Sequence, residues 1–261
     1  MPEYITRKIP AFVSLPRPVV ARVEQLQAGS LAPWHKHDWW QLSYALSGVI
    51  ALETASGSFM APPQRAIWVP PKTEHKATNS SLTEMRSLYI DASLMAWAPR
   101  CCRVVSMTPL VRELIVALSR FPQEYDEGGA EGRLVAVLLD QLTQLPEVAF
   151  NLPMPTDARL ARICALLQSE PDDNRPMSEW GRLVGLSERS LARLFMQQTS
   201  LSFGDWRQRL RLLLALAGLE RGERVTRVAL DSGYNSPSAF IAAFRRNFGT
   251  TPTRMFGDAS T

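Results

Sequence analysis

All three histidines of this 261-residue chain, His35, His37 and His75, fall in its first third. Alternate side chains of an extended strand share a face, so His35, His37 and Gln41 are expected to point to one side. Three neutral imidazoles, with Gln41 or water as a fourth donor, form a candidate site for zinc, nickel, iron or manganese. No carboxylate stands among them to compensate the charge of an ion. The same side chains equally suit hydrogen bonding to a small organic effector. Trp39 and Trp68, with Trp34 and Trp40 nearby, are candidate walls for an aromatic or apolar ligand, although strand tryptophans are often plain core.

The second candidate chemistry is arginine. From Thr156 to Thr261 the chain has 15 arginines, no lysine and 11 acidic residues, a balance of +4. Residues 1 to 155 hold 14 basic and 14 acidic residues, so the whole positive excess is C-terminal. The guanidinium fork matches phosphate and guanine edges, which points to nucleic acid. No nucleophile–base constellation stands out. No apolar run approaches the roughly 18 residues that cross a bilayer, and the first eight residues lack a signal-peptide layout. Cys101, Cys102 and Cys164 make a poor disulfide framework, so a cytoplasmic protein is expected.

These residues sit in three regions. Between residues 30 and 92, short alternating runs (41–46, 49–53, 66–69, 86–90) are separated by Ser47-Gly48, Ser56-Gly57, Pro62-Pro63 and Pro70-Pro71, the pattern of an all-β barrel or sandwich. Residues 108–121 and 129–145 change to helical period, with Leu110, Leu114, Leu118 and Phe121, then Leu134, Leu138, Leu142 and Leu145. The expected division is a β domain over 1–100, a helical connector over 101–155 and an all-α domain over 156–261. The second leucine stripe either packs on the barrel or joins two chains in a homodimer.

The last region contains one pattern twice. Residues 177–187 with the following 188–198 match 225–235 with 236–248, which pairs Gly181 with Ala229, Gly185 with Gly233, Leu191 with Phe240 and Phe195 with Phe244. Small residues at 181 and 229 allow the second helix to cross close to the first. Gly185 and Gly233 suit a left-handed helix end. Ser187 and Ser236 suit caps, and the i to i+4 apolar pairs anchor a helix whose opposite face is free for a major groove. Between the units, 202–221 reads as one helix, with Phe203, Trp206, Leu210, Leu213 and Ala217 as its apolar stripe. A helix of about 20 residues spans about 30 Å, close to one DNA repeat.

The tandem units (about 176–198 and 225–248), the linking helix and the closing run Ala243 to Pro252 resemble the AraC/XylS family of bacterial transcription regulators. The spacing His35-x-His37-x3-Gln41-x6-Gly48, then Pro70-x4-His75-x3-Asn79, resembles the two motifs of the cupin barrel, where such side chains hold a metal. The first resemblance implies operator or promoter DNA as partner, a small effector and RNA polymerase as a further partner. It places Arg189, Ser190, Arg193 and Gln197 on the reading face of the first recognition helix, and Ser238 and Ile241 on that of the second. The family commonly has arginine where this chain has Ala242. The second helix is therefore expected to touch thymine methyl groups or to anchor phosphate through Ser236, Arg245 and Arg246. The rival expectation is a metal-dependent cupin enzyme with a DNA-binding appendage.

Overall fold

A computed structural model describes residues 5–9, 12–79, 81–95, 98 and 100–257. The chain divides into two compact units. One comprises Met1–Thr54 with Phe59–Phe150, the other Ala55–Ser58 with Asn151–Thr261.

In the first unit the turn residues of the sequence separate short strands: β1 (Ile5–Thr6), β2 (Val19–Leu26), β3 (Ser30–His35), β4 (Trp40–Ala45), β5 (Ile50–Thr54), β6 (Gly57–Ala61), β7 (Arg65–Val69), β8 (His75–Asn79), β9 (Thr83–Ile90) and β10 (Arg103–Ser106). Two helices, α1 (Pro109–Leu118) and α2 (Ala130–Leu142), precede a short β11 (Glu147–Val148). One sheet contains β1-β3-β8-β5-β6 in that order, and the other runs β11-β10-β7-β4-β9-β2. Apart from the parallel β1–β3 pair, the registered pairs are antiparallel.

Alternation along β4 decides what lies where. Trp40, Leu42 and Tyr44 join a buried cluster with Ala66, Trp68, Leu88 and Ile90 and with Val111, Ile115, Val135, Leu138 and Leu142 of the two helices. Gln41 and Ser43 point the other way. The leucine stripe of α2 is thereby largely spent inside the chain. Leu138 and Leu142 are buried against the sheet, and Leu134 and Leu145 pack at the edge of the same cluster. Covering a sheet face removes more apolar area from water than an exposed stripe could, so intramolecular packing claims these leucines.

The second unit opens with β12 (Asn151–Pro153), where Met154 N donates to Ser56 O at 3.1 Å. Seven helices follow: α3 (Ala158–Ser169), α4 (Met177–Leu183), α5 (Glu188–Thr199), α6 (Phe203–Glu220), α7 (Val225–Asp231), α8 (Pro237–Phe248) and α9 (Pro252–Phe256). Helix α6 is buried nearly all round rather than along one stripe. Leu210, Leu212, Leu213, Ala215, Leu216, Gly218 and Leu219 are all covered. Such a helix forms the centre of its domain. Its 18 residues span about 27 Å at 1.5 Å each. Among the described residues, no helix is long and apolar enough to cross a membrane.

Candidate functional site

The two repeats share one backbone device. After α4, Gly185 adopts φ +68° and Leu186 N donates back to Gly181 O at 2.8 Å. After α7, Gly233 adopts φ +76° and Tyr234 N donates to Ala229 O at 3.0 Å. Position 181 is small for a reason other than helix crossing: a Cβ there would lie 2.5 Å from Leu186 O, in the turn itself. Ser187 Oγ then accepts from Ser190 N, and Ser236 Oγ from Ala239 N, so each serine caps its recognition helix. Leu191 and Phe195 of α5, and Phe240 and Phe244 of α8, are fully buried. Phe195 packs edge-on against Phe203 and Trp206 of α6, while Phe240 meets Tyr234 and Phe244.

Anchoring one face of each helix presents the other. On α5, Arg189, Arg193 and Gln197 are exposed and Ser190 is half-buried. On α8, Ser238, Ile241, Ala242, Arg245 and Arg246 are exposed and the cap Ser236 is half-buried. Elsewhere in this unit, Arg159, Arg175, Arg221 and Arg227 are held by Asp157, Asp173, Glu223 and Asp231. Arg189, Arg193, Arg245 and Arg246 have no carboxylate partner among the described residues. Arg162, Arg182, Arg224 and Arg254 are exposed and lack one too, so it is their place on the free faces of the two capped helices that singles out these four. A capped helix N-terminus and exposed arginines on the free face of the same helix suit a phosphate backbone and base edges.

Arg211 escaped the sequence reading. It lies on α6 and is only 9% exposed. Nε donates to Pro171 O at 2.6 Å, Nη1 to Gly233 O at 3.3 Å, and Nη2 to Asp173 O at 3.2 Å and Asn174 Oδ1 at 3.0 Å. One side chain therefore ties the loop before α4 to the turn after α7. Its only signal in the sequence was a charge inside the apolar run Leu210 to Leu216. Gln198 also escaped notice; its Oε1 accepts from Thr156 N and Asp157 N at 2.9 and 3.0 Å, fixing the entry to α3.

The histidines converge, but not along one strand. His35 ends β3, His37 lies in the connection to β4, Gln41 is on β4 and His75 begins β8 opposite His35. Strand parity therefore does not align His35, His37 and Gln41, because the chain turns between residues 36 and 39. One ring nitrogen from each histidine lies within 4.8 Å of the others. In each ring Nδ1 faces a carbonyl: Pro33 O at 2.8 Å from His35, Trp39 O at 2.8 Å from His37 and Thr73 O at 2.9 Å from His75. A carbonyl can only accept, so in His35 and His75 Nδ1 carries the proton and Nε2 presents a lone pair, whereas His37 lies between two acceptors, Trp39 O and Gln41 Oε1. His75 Nε2 is buried without a hydrogen-bond partner. Gln41 Oε1 lies 2.9 Å from His37 Nε2, and Gln41 Nε2 donates to Ser43 Oγ at 2.8 Å.

Burial lowers the pKa of all three imidazoles, and that of His75 to about 4. Neighbouring histidines and Arg7 push His75 the same way, while its bond to Thr73 O opposes them. The rings are neutral at pH 7. The tryptophans divide by face. Trp39 stacks on His37, with centroids 5.3 Å apart and planes 2° from parallel. Trp68 pairs with Leu42 in the β4–β7 register and faces the helices, as does Trp40, so neither borders the histidines. Trp34 is 50% exposed and lies under the Lys76 ammonium. Tyr89, opposite Gln41 on β9, and Phe12 complete an aromatic group around Trp39, with ring separations of 5.8 to 6.0 Å.

A two-sheet β domain holding a polar site and a helical unit with two capped, arginine-bearing helix-turn-helix motifs define a DNA-binding transcription regulator with a ligand-binding domain. The sequence model of an AraC-like ligand-binding domain matches residues 17–179, and that of a helix-turn-helix domain matches 180–257. The transcriptional regulator NimR of Escherichia coli K12 is 34% identical over 230 residues, which cover 88% of this chain and 84% of NimR. The regulatory protein SoxS of Escherichia coli K12 is 40% identical over 70 residues, 26% of this chain and 65% of SoxS. The chain belongs to the AraC family of transcription regulators. Among solved structures, fatty-acid-bound ToxT of Vibrio cholerae covers 91% of this chain and 95% of its own at 13% identity and a TM-score of 0.39.

Proposed function

We propose that this regulator reads a bipartite operator through α5 and α8 and is controlled at the histidine site. The observation that carries the second half is convergence: one ring nitrogen from each histidine lies within 4.8 Å of the others, and His75 Nε2, whose Nδ1 is held by Thr73 O, is buried without a partner. A backbone carbonyl on Nδ1 with the other ring nitrogen turned to the site is typical of metal-ligating histidines. The orphaned, buried His75 Nε2 supplies the fit test, because a buried acceptor without a donor is costly unless something binds it. His35, His37 and His75 would hold a divalent transition metal with Gln41 or water beside them. Bound there, the ion would act as a Lewis acid toward a small ligand. Trp39 is placed to wall such a ligand; Trp68, on the other face, is not. Elemental analysis after incubation of the full chain with zinc, nickel, iron or manganese at neutral pH is the test. About one ion per chain is expected, with loss in His75→Ala. A chain that stays metal-free would reassign the histidines to an organic effector.

For DNA, we assign base reading to Arg189 and Arg193, with Ser190 and Gln197 beside them. Ser236, Arg245 and Arg246 anchor phosphate, and Ser238 and Ile241 face the groove. The exposure of these side chains on the free faces of α5 and α8 supports the assignment. Arg189→Ala or Arg193→Ala is expected to cost about 1–3 kcal/mol and to relax preference at one or two base pairs. Arg245→Ala should weaken all sequences about equally. Sites selected from random duplex DNA decide it: a sharper preference beneath Ser238 and Ile241 would reverse the assignment. RNA polymerase as a contact partner and a cytoplasmic location complete the proposal. The named relatives are regulators, which leaves the enzyme alternative without support.

A further inference from the structure

On the helix side of the β4 sheet, the face opposite the histidines, lies a separate cavity of about 220 Å³. Its walls are Trp40, Trp68, Val105 and Leu142, each at most 5% exposed, and Arg103 and Glu147 stand among its lining residues. The two indoles meet at 89°, with centroids 6.1 Å apart, forming an aromatic corner. Arg103 Nη1 lies 3.1 Å from Glu147 Oε2 and Nη2 makes only a weak 3.8 Å contact to Cys101 Sγ, while Arg103 Nε is buried and has no acceptor. The Glu147 side chain is 55% exposed, so its ion pair is solvent-screened and readily replaced. An aromatic corner beside a guanidinium with an unused donor asks for a flat ring carrying an anionic acceptor. The volume, below the roughly 300–1,000 Å³ of sites for drug-sized ligands, admits a single ring.

We propose that this cavity binds a small monocyclic aromatic carboxylate, with its ring against Trp40 and Trp68 and its carboxylate on Arg103. The guanidinium fork offers Nε and one Nη in the geometry a carboxylate accepts. The cavity lies on the opposite sheet face from His35, His37 and His75, so it stands independently of the metal reading.

The test is a fluorine NMR titration of the full chain with 4-fluorobenzoate. Saturable binding at millimolar concentration is expected. Arg103→Met should weaken it about tenfold through loss of the charge-assisted bonds. Leu142→Phe, which fills the cavity, should abolish it in a variant whose circular dichroism and melting match the wild type. His75→Ala should leave it unchanged. Absence of saturable binding overturns the proposal. So does binding that survives Arg103→Met undiminished, or binding lost in His75→Ala.

Discussion

A histidine whose Nδ1 faces a carbonyl has its tautomer chosen for it, as at His35 and His75, whereas His37 lies between two acceptors, Trp39 O and Gln41 Oε1. The residue-scale consequence is a pH dependence. Folding depresses the pKa of His75 from the ordinary 6.5 to about 4, chiefly by burial. The unfolded chain therefore binds more protons in that window. Stability is fully present above about 6.5 and falls as pH drops toward 4, by up to about 3 kcal/mol from His75 alone. Melting of the metal-free protein at pH 7, 6, 5 and 4 checks this. A midpoint that stays level through that series contradicts it. The same depression means that protons compete with a metal only below the usual histidine range, so binding is expected to persist at pH 6 and to vanish near 4. Gln41→Glu should tighten it by adding the charge that this group lacks.

At the scale of elements, the two helix-turn-helix units differ in what their turns tolerate. Gly185 and Gly233 both need a left-handed backbone. A Cβ at 185 meets nothing within 4 Å, but one at 233 lies 2.9 Å from Asp172 Cα and 3.1 Å from Arg211 Cζ. Gly185→Ala is expected to cost about 1 kcal/mol from conformation alone, and Gly233→Ala distinctly more. Urea denaturation of the two variants should rank them in that order, and equal losses would contradict the close approach. Arg211 supplies the matching test. Arg211→Met leaves four acceptors without their donor, three in the loop before the first repeat and one in the turn of the second, so it should weaken the two-part site more than a single half-site. Equal weakening would make Arg211 a residue of general stability rather than the brace between the units.

At the scale of the whole molecule, the division into two units predicts which part acts alone. Residues 151–261 contain both repeats and α6, and Trp206 Nε1 donates to Pro153 O at 2.8 Å within that unit. A fragment over 151–261 should bind selected DNA alone, with log affinity falling about 0.9 per phosphate contact against log salt. A folded fragment that ignores DNA at low salt would refute the division. We further propose a homodimer formed by outward positions of α1 and α2. Leu110 and Val137 are 51% and 45% exposed, whereas the leucine stripe is committed to the sheet. Light scattering of Val137→Glu should shift toward monomer if this face joins two chains. A wild-type monomer with and without DNA would end the proposal.

Local rules sufficed for much of the DNA-binding half. Helix caps, left-handed glycines and i to i+4 anchors act within a few residues, so Ser187, Gly185, Leu191 and Phe195 and their counterparts announce themselves by spacing. The strands between 40 and 90 were legible for the same reason, as alternation bounded by turn residues. The sequence also placed three histidines where they could meet. Only the tertiary structure decided how: β3 stops at His35, the chain turns, and pairing with β8 brings in His75 from forty residues away. Sheet register alone put Trp68 on the face away from that site. The neighbouring sheet claimed the leucines of α2, and carbonyls of two distant loops made a buried charge at Arg211 tenable. In each case the partner is remote in sequence, and spacing along the chain carries no record of a partner that folding supplies.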